Sequence, residues 1–351
     1  MLYHKAARLC QQGVRADLDL PSLLQVRVTE AAALASAHWL GKGDKEAADA
    51  AAVAAMRNVL GSISFDGVVV IGEGAKDKAP MLFCGERIGD GSPPSVDIAV
   101  DPLDGTTACA QGRSGAVAVI ALSERGALFD PGPAFYMEKL AVGPAAAHVI
   151  DIRASVATNL HAIASALRKP IEDTTVVMLD RPRHAKLVSE VRAAGARIRL
   201  ISDGDVAAAI ATARPGSNVD VLMGIGGTPE GVIAAAALKC LGGSIQGRLW
   251  PRDEADRSAI IAAGFDPSTV LTTEMLCGGQ EVLFAATGVS DGELLQGVRF
   301  TSEGATTSSL VMRYRSGTIR EINTTHRWKQ PASLRPTLTA VQLAGAMPTH
   351  A

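Results

Sequence analysis

Two aspartates that follow an apolar segment are the residues best suited to do chemistry. Asp101 and Asp104 lie three residues apart. Two carboxylates held close together repel each other unless a hard cation such as Mg²⁺ or Mn²⁺ neutralises them. Pro102 and Gly105 favour a tight turn that would aim both acids inward, and the Thr106 hydroxyl can orient a water molecule beside them. The pattern predicts metal-assisted chemistry on a phosphate, and the alternative is an aspartate-rich turn that only caps a helix.

Three further acids stand where they can join this pair. Glu73 lies between two glycines at the end of the predicted buried strand 67–72, and open α/β sheets bind their ligands at the carboxyl ends of strands. Asp49 lies on a predicted alanine-rich helix, and Glu230 begins a predicted helix after the strand 219–223. From pattern alone, Asp49 also fits an exposed helix surface, and Glu230 also fits an ordinary acid in a first helical turn.

Two arginines and two aspartates follow other predicted strands. Arg181 and Arg183 can present guanidinium groups to an anion, whereas Asp203 and Asp205 can accept hydrogen bonds from sugar hydroxyls. Together they suit a phosphorylated polyol. A solvated helix start for the arginines and a helix N-cap for Asp205 are the alternatives. We interpret His184 as a support for the site or a neighbour of a phosphate.

A glycine-rich run at residues 224–231 invites a nucleotide-binding interpretation that its spacing does not support. The dinucleotide pattern would need glycine at position 229, which is proline. The chain also contains no Walker A motif and no Gly-x-Ser-x-Gly motif. The free N–H groups at this helix start can still bind a phosphate.

The composition describes a folded protein large enough for two domains. The chain has 351 residues, of which 47% are hydrophobic and 20% charged. Its formal net charge of −2 argues against nucleic acid as a partner, and no apolar run is long enough to predict a membrane span. Five scattered cysteines and the lack of a signal-peptide pattern predict a cytoplasmic protein.

Hydrophobic periodicity places these residues on an α/β scaffold. Two helices are predicted at 22–40 and 47–60, followed by strands of one sheet at 67–72, 96–100 and 116–122. From about residue 149, strands and helices alternate, which predicts a parallel or mixed sheet covered on both faces. The later strands are predicted at 283–287 and in a hairpin of 309–314 with 318–323.

Ordered blocks along the chain resemble the class II fructose-1,6-bisphosphatases of bacteria, which belong to the lithium-sensitive sugar and inositol phosphatase superfamily. The resemblance runs from about residue 27 to about residue 322, and its blocks include Ile71-Gly72-Glu73-Gly74, Val100-Asp101-Pro102, Pro182-Arg183-His184 and Asp203-Gly204-Asp205. It implies a layered αβαβα fold. It also implies hydrolysis of the 1-phosphate of fructose 1,6-bisphosphate in gluconeogenesis, with sedoheptulose 1,7-bisphosphate as a further candidate substrate.

The resemblance assigns roles to particular residues. It implies Mg²⁺ or Mn²⁺ held by Asp49, Glu73, Asp101, Asp104 and Glu230, with Thr106 and Asp49 orienting and deprotonating the attacking water. The implied substrate contacts are Asp104, Gly105, Thr106, Tyr136, Arg181, Pro182, Arg183, Asp203, Gly204, Asp205 and Gly227. Position 181 is often lysine in the family and position 104 is glutamate in some members, so metal preference and sugar fit can differ here.

The resemblance also suggests a domain plan in which the C-terminal hairpin returns to the first domain. The predicted phosphatase domain comprises residues 21–160 with about 295–328, and residues 161–294 form a second α/β domain. Residues 1–20 are an extension and 329–351 a tail, and a homo-oligomer, either a dimer or a tetramer, is expected. The alternative functions are an inositol or other sugar monophosphatase and a non-catalytic sugar-phosphate sensor.

Overall fold

Two β-sheets with helices outside and between them make up this protein. The computed structural model describes residues 19–74 and 81–328, with side chains from residue 26 onward. The predicted tail and nearly all of the predicted N-terminal extension therefore lie outside the described residues. Within these ranges, no helix combines the length and the hydropathy that crossing a membrane requires.

The helices and strands are numbered here along the described chain. The helices are α1 (Asp19–Ala37), α2 (Lys45–Leu60), α3 (Thr106–Ala110), α4 (Val156–Leu167), α5 (Ala185–Ala193), α6 (Asp205–Ala211), α7 (Thr228–Leu241), α8 (Glu254–Ala262) and α9 (Thr273–Leu276). The strands are β1 (Asp66–Ile71), β2 (Arg87–Ile88), β3 (Ser95–Asp104), β4 (Val117–Glu124), β5 (Tyr136–Val142), β6 (Thr175–Leu179), β7 (Arg197–Ile201), β8 (Val221–Gly227), β9 (Ser244–Leu249), β10 (Leu271–Thr272), β11 (Leu283–Gly288), β12 (Arg299–Thr301), β13 (Gly304–Arg313) and β14 (Thr318–Arg327).

The first sheet has the order β12-β13-β11-β4-β3-β1-β2, with β14 paired to β13, and the second has the order β10-β9-β5-β8-β6-β7. In the second sheet β6 runs parallel to β7 and β8, whereas β5 runs antiparallel to β8 and β9. The prediction of a parallel or mixed sheet is thus confirmed in its mixed form.

Helices cover the outer faces of both sheets and fill the space between them. Helices α1 and α2 pack on the first sheet, α4 and α5 belong to the apolar cluster on the far side of the second, and α6 and α7 lie between the sheets. Helix α7 is buried along most of its length because it contacts strands of both sheets. This layering confirms the predicted αβαβα arrangement.

All the predicted strands are present, and five strands were missed, namely β5, β9 and the short β2, β10 and β12. Strands β6, β7 and β8 alternate with α5 and α6, as predicted for the chain after about residue 149, and the predicted C-terminal hairpin is present with longer strands. Strands β5 and β9 were not predicted, because their sequences mix apolar residues with charged or amide side chains.

Sheet membership departs from the predicted domain plan at two strands. Strand β5 lies within the range predicted for the first domain but belongs to the second sheet. Strand β11 lies within the range predicted for the second domain but belongs to the first sheet. We therefore propose that the second domain begins before Tyr136 and ends before Leu283. The C-terminal hairpin of β13 and β14 pairs within the first sheet.

Candidate active site

A β-bulge in β3 places Asp101 and Asp104 on the same face of the first sheet. Residues three apart in a regular strand point to opposite faces. Here Asp101 pairs with Val119 and Asp104 with Val117, so β3 carries one residue more than β4 in this interval. Val117 and Val119 both belong to the core between the two sheets. Because directly opposed residues share a face, both acids point to that side.

The tight turn predicted around Pro102 lies further along the chain than the sequence indicated. Strand β3 continues through Pro102 and Leu103 to Asp104, and the chain turns only at Gly105, whose φ is +99°. A proline fits here because a bulge does not need its missing N–H. Leu103 packs under α1 and α2 instead of joining the acids.

Glu73 reaches the same edge from the neighbouring strand. Strand β1 runs parallel to β3 and its last residue, Ile71, pairs with Ala99, so Glu73 follows at the level where β3 reaches Asp101. A Cβ on Gly72 would lie 2.0 Å from the Leu82 carbonyl oxygen, so only glycine fits before Glu73. Burial, and then the charges of Asp49 and Glu230, raise the pKa of Glu73 to about 7.

Glu230 approaches from helix α7 on the opposite side. It lies in the first turn of the helix, and its side chain folds back over Gly227, where an added Cβ would be 1.8 Å from Glu230 Oε2. This oxygen is buried and has no hydrogen-bond partner among the described residues. A buried carboxylate oxygen without a donor is costly, so the position suits a cation ligand better than a solvated first-turn acid.

Asp49 completes the group from helix α2. The helix begins after Asp44, whose side chain accepts a hydrogen bond of 2.9 Å from the Ala47 amide. Asp49 is half-buried and not on an exposed surface, and burial followed by the nearby Glu46 raises its pKa. Its charge in turn raises the pKa of Glu73.

The acids strongly influence one another. Burial, and next the carboxylate of Asp104, raise the pKa of Asp101 well above its ordinary value. Burial, and next the carboxylate of Asp205, do the same to Asp104. Burial also raises the pKa of Glu230, although the ammonium of Lys139 opposes this shift. Such a cluster of oxygen donors has the chemistry that hard divalent cations require.

The five acids have the oxygen donors that a divalent cation requires, but their side chains are not close enough together to hold one ion. Within residues 19–74 and 81–328, no three acidic, imidazole or thiol side chains lie in an arrangement that could hold one ion together. The donor set and the unpartnered oxygen of Glu230 still favour a cation at this place.

The metal-free protein should lose stability as the pH rises from about 4.5 to about 7. Folded Glu73 keeps its proton up to about pH 7, whereas the unfolded residue loses it near 4.5, so folding is favoured most at low pH. This residue contributes up to about 3 kcal/mol to the change. Urea unfolding in EDTA across this range, compared with Glu73→Gln, measures the contribution. An identical pH slope in both proteins would contradict it.

Arg183 and Arg181 line the side of the site formed by the second sheet. The Arg183 guanidinium lies 4.9 Å from the ring centroid of Tyr136, and its Nε and Nη2 donate hydrogen bonds of 3.2 and 2.8 Å to the Ile225 carbonyl. Nη1 is left to meet an anion. Arg181 is more exposed and lies 3.9 Å from Asp203 Oδ1.

The turn that contains Asp203 and Asp205 is tied to the acid cluster. Asp203 Oδ2 accepts a hydrogen bond of 3.0 Å from the Thr107 amide, and Asp104 Oδ2 accepts one of 3.2 Å from the Val206 amide. The N-cap alternative for Asp205 is wrong, because Gly204 occupies that position with φ of +74°.

Both ring nitrogens of His184 are engaged by the protein backbone. The side chain is buried, its Nδ1 lies 2.7 Å from the Leu179 carbonyl oxygen, and its Nε2 accepts a hydrogen bond of 2.8 Å from the Ile225 amide. The ring is therefore neutral with its proton on Nδ1, and burial lowers its pKa. It connects the ends of β6 and β8, which favours the interpretation of His184 as a support for the site.

Lys139 was missed as a candidate. It is only 2% exposed, and its Nζ lies 2.8 Å from Asp205 Oδ2. A lysine inside the mostly apolar run 137–142 is unusual for a buried strand, and this was the available signal. The signal was lost because β5 itself was not predicted.

Carboxylates at adjoining strand and helix ends, with two arginines just after β6, are the residue types that an enzyme acting on a phosphate ester requires. Comparison with known proteins agrees with this class. Residues 21–326 match the family described as bacterial fructose-1,6-bisphosphatase, glpX-encoded. The chain belongs to this family, and the enzyme class is phosphoric monoester hydrolase. The predicted resemblance is thereby confirmed.

Curated relatives match nearly their whole length. Proteins named D-fructose 1,6-bisphosphatase class 2/sedoheptulose 1,7-bisphosphatase from Crocosphaera subtropica and Thermosynechococcus vestitus are 45% and 46% identical over 331 residues. These alignments cover 87% of this chain and 96% and 95% of the relatives. A solved structure, the extragenic suppressor protein suhB from Bartonella henselae, is similar over 53% of this chain and 68% of its own, with 17% identity and a TM-score of 0.30.

Proposed function

We propose that this protein hydrolyses the 1-phosphate of D-fructose 1,6-bisphosphate to give fructose 6-phosphate and phosphate, as a step of gluconeogenesis. The observation that carries the proposal is a group of five acids that raise one another's pKa values, next to Asp203 and its ion-pair partner Arg181, in a chain of this family. The names of the relatives support sedoheptulose 1,7-bisphosphate as a second substrate.

The acid cluster is proposed to bind Mg²⁺ or Mn²⁺. The ligands would be Asp49, Glu73, Asp101, Asp104 and Glu230, which approach one another from β1, β3, α2 and α7. When bound, such a cation lowers the pKa of water and neutralises charge that develops on the phosphate. The unpartnered Glu230 Oε2 and the raised pKa values of the neighbouring acids support this assignment.

Thr106 and Asp49 are proposed to act on the attacking water. Thr106 begins α3 directly after Gly105 and is only two residues from Asp104, one of the proposed metal ligands. We assign Thr106 the orientation of the water and Asp49 the removal of its proton. Attack in line with the departing sugar oxygen then releases phosphate.

The remaining residues are proposed to hold the sugar and its second phosphate. Arg181 and Arg183 would bind the distal phosphate, and such binding far from the reacting bond positions the substrate for attack. The sugar would meet hydrogen-bond acceptors on the turn 203–205. The other proposed contacts are Asp104, Gly105, Thr106, Tyr136, Pro182 and Gly227.

The protein is also proposed to act in the cytoplasm and to form a homo-oligomer, either a dimer or a tetramer. The five scattered cysteines support the cytoplasmic location. The partner of the site is a small sugar bisphosphate, with no role for nucleic acid or membrane.

Phosphate release by chelator-treated protein tests this function. Fructose 1,6-bisphosphate, sedoheptulose 1,7-bisphosphate, fructose 6-phosphate and inositol 1-phosphate are compared with and without Mg²⁺ or Mn²⁺. We expect metal-dependent release of one phosphate per bisphosphate and little from the monophosphates, because only a bisphosphate engages both the acids and the arginines. Equal release from monophosphates would favour a monophosphatase. No release from any of them would favour a sensor.

A further inference from the structure

A lysine buried in the middle of the second sheet is not used by the reaction as described so far. Lys139 lies on β5, between β8 and β9, and is paired with Gly224 on one side and Gly247 on the other. Its strand neighbours Met137 and Ala141 belong to the core between the sheets. The Lys139 side chain therefore rises into that layer, beside two strand positions that carry no side chain.

The ammonium group of Lys139 contacts Asp205, the first residue of α6. Lys139 Nζ lies 2.8 Å from Asp205 Oδ2, and the side chains are 1% and 8% exposed. Gly226 makes room for the pair, since a Cβ there would lie 2.1 Å from Asp205 Oδ2 and 3.0 Å from Lys139 Nζ. Any larger residue at position 226 would separate the two charges.

A gain in folding stability does not by itself explain the buried ion pair of Lys139 and Asp205. Moving two charges out of water costs about as much as their attraction returns, and apolar replacements of buried pairs are often neutral or stabilising. The pair does, however, orient Asp205. Lys139 occupies Oδ2, whereas Oδ1 accepts no hydrogen bond from the described part of the chain.

The pair also supplies the third anchor of a short turn. Asp203 is held by the Thr107 amide, and Val206 donates its amide hydrogen to Asp104. Both of these anchors come from the first sheet or the helix that follows β3. Lys139 is a hydrogen-bonding anchor from the second sheet, beside the longer 3.9 Å ion pair of Arg181 with Asp203, so the turn is held against both halves of the site.

We propose that Lys139 is a positioning residue for the sugar, holding Asp205 so that its second oxygen faces a substrate hydroxyl. The inference rests on the proposed function. It predicts an effect on substrate affinity that is separate from any effect on folding, because Lys139 acts through Asp205 and does not touch the reacting phosphate.

The test compares Lys139→Met, Asp205→Asn and the double variant with wild type. Lys239→Met is the matched control, because Lys239 is also buried and ion-paired, at 2.6 Å to Glu274 Oε2, near the opposite end of α7 from Glu230. The readouts are KM and kcat for fructose 1,6-bisphosphate with metal, calorimetric affinity for the same compound in EDTA, and the melting temperature.

Lys139→Met should raise KM and weaken binding in EDTA by about tenfold to a hundredfold, the loss expected for one hydrogen bond to a charged group. The change in kcat should be much smaller. The double variant should bind no more weakly than Asp205→Asn alone and melt above Lys139→Met, since it has no unpaired buried charge. Lys239→Met should lower the melting temperature and leave affinity unchanged.

Normal affinity in Lys139→Met, or in the double variant if the single one does not fold, would overturn the inference while the proposed function stands. Strictly additive losses in the double variant would also overturn it. A wild type that neither hydrolyses nor binds the bisphosphate would remove both the proposed function and this inference.

Discussion

Replacing Asp101 by asparagine should lower kcat/KM for fructose 1,6-bisphosphate by about a thousandfold or more. Asp101 is the acid whose pKa responds to all four of the other proposed ligands, after burial itself. Its carboxylate therefore stands at the centre of the group. A cation site contributes several kcal/mol of transition-state stabilisation, and each 1.4 kcal/mol corresponds to a factor of ten in rate.

The same substitution should not destabilise the metal-free fold. An amide cannot ionise among the neighbouring carboxyl groups, and it keeps the shape of the side chain. Steady-state kinetics with Mg²⁺ or Mn²⁺ and melting in EDTA measure the two effects separately. We expect lost activity with an unchanged or higher melting temperature.

Asp97→Asn is the control from the same strand. Asp97 Oδ2 accepts hydrogen bonds of 2.7 and 3.2 Å from the amides of Gly126 and Leu128, away from the bulge. The variant should lose stability and keep kcat/KM close to the wild-type value. If Asp101→Asn retained more than about a tenth of the activity, the central role of Asp101 would be refuted.

Replacing Gly227 by alanine should lower activity about a hundredfold through Glu230. The backbone at Gly227 has φ of −66° and ψ of 141°, which alanine adopts without strain. The new methyl group would instead lie 1.8 Å from Glu230 Oε2. The carboxylate must then move, and a displacement of about 1 Å at a catalytic site costs on the order of a hundredfold in rate.

Gly231→Ala provides the comparison from the same helix. The added Cβ would lie 3.0 Å from Met137 Sδ, and a methionine side chain can adjust. Kinetics and Mn²⁺ affinity measured by calorimetry should show losses for Gly227→Ala and near-normal values for Gly231→Ala. Full activity in Gly227→Ala would mean that Glu230 is not needed where it stands.

Elements with a clean hydrophobic pattern were predicted well. Strands β6 and β7 and the hairpin of β13 with β14 follow from runs of alternating or continuous apolar residues bounded by turns. Strands β5 and β9 do not, since each contains polar residues that are accommodated only by partners on other elements. Gln246 of β9, for example, donates a hydrogen bond to the Ile150 carbonyl and accepts one from the Ile152 amide.

The site shows the same division. That Asp101 and Asp104 form an acidic pair could be proposed from residue type and spacing, and Arg183 and Asp203 could be proposed as polar groups at strand ends. The bulge that turns both aspartates to one face could not be predicted from the sequence, because it depends on the register between β3 and β4. The supporting role of His184 likewise depends on the distant Ile225 amide.

The amino-acid sequence by itself determined the family, the layered α/β class and the identity of the acids, since residue types, their order and local periodicity carry this information. Only the tertiary structure decided how the acids face one another, that Asp205 is committed to Lys139, and that Gly227 leaves room for Glu230. These facts arise from contacts between residues far apart in the chain, and such contacts are set by strand register and by packing between the two sheets.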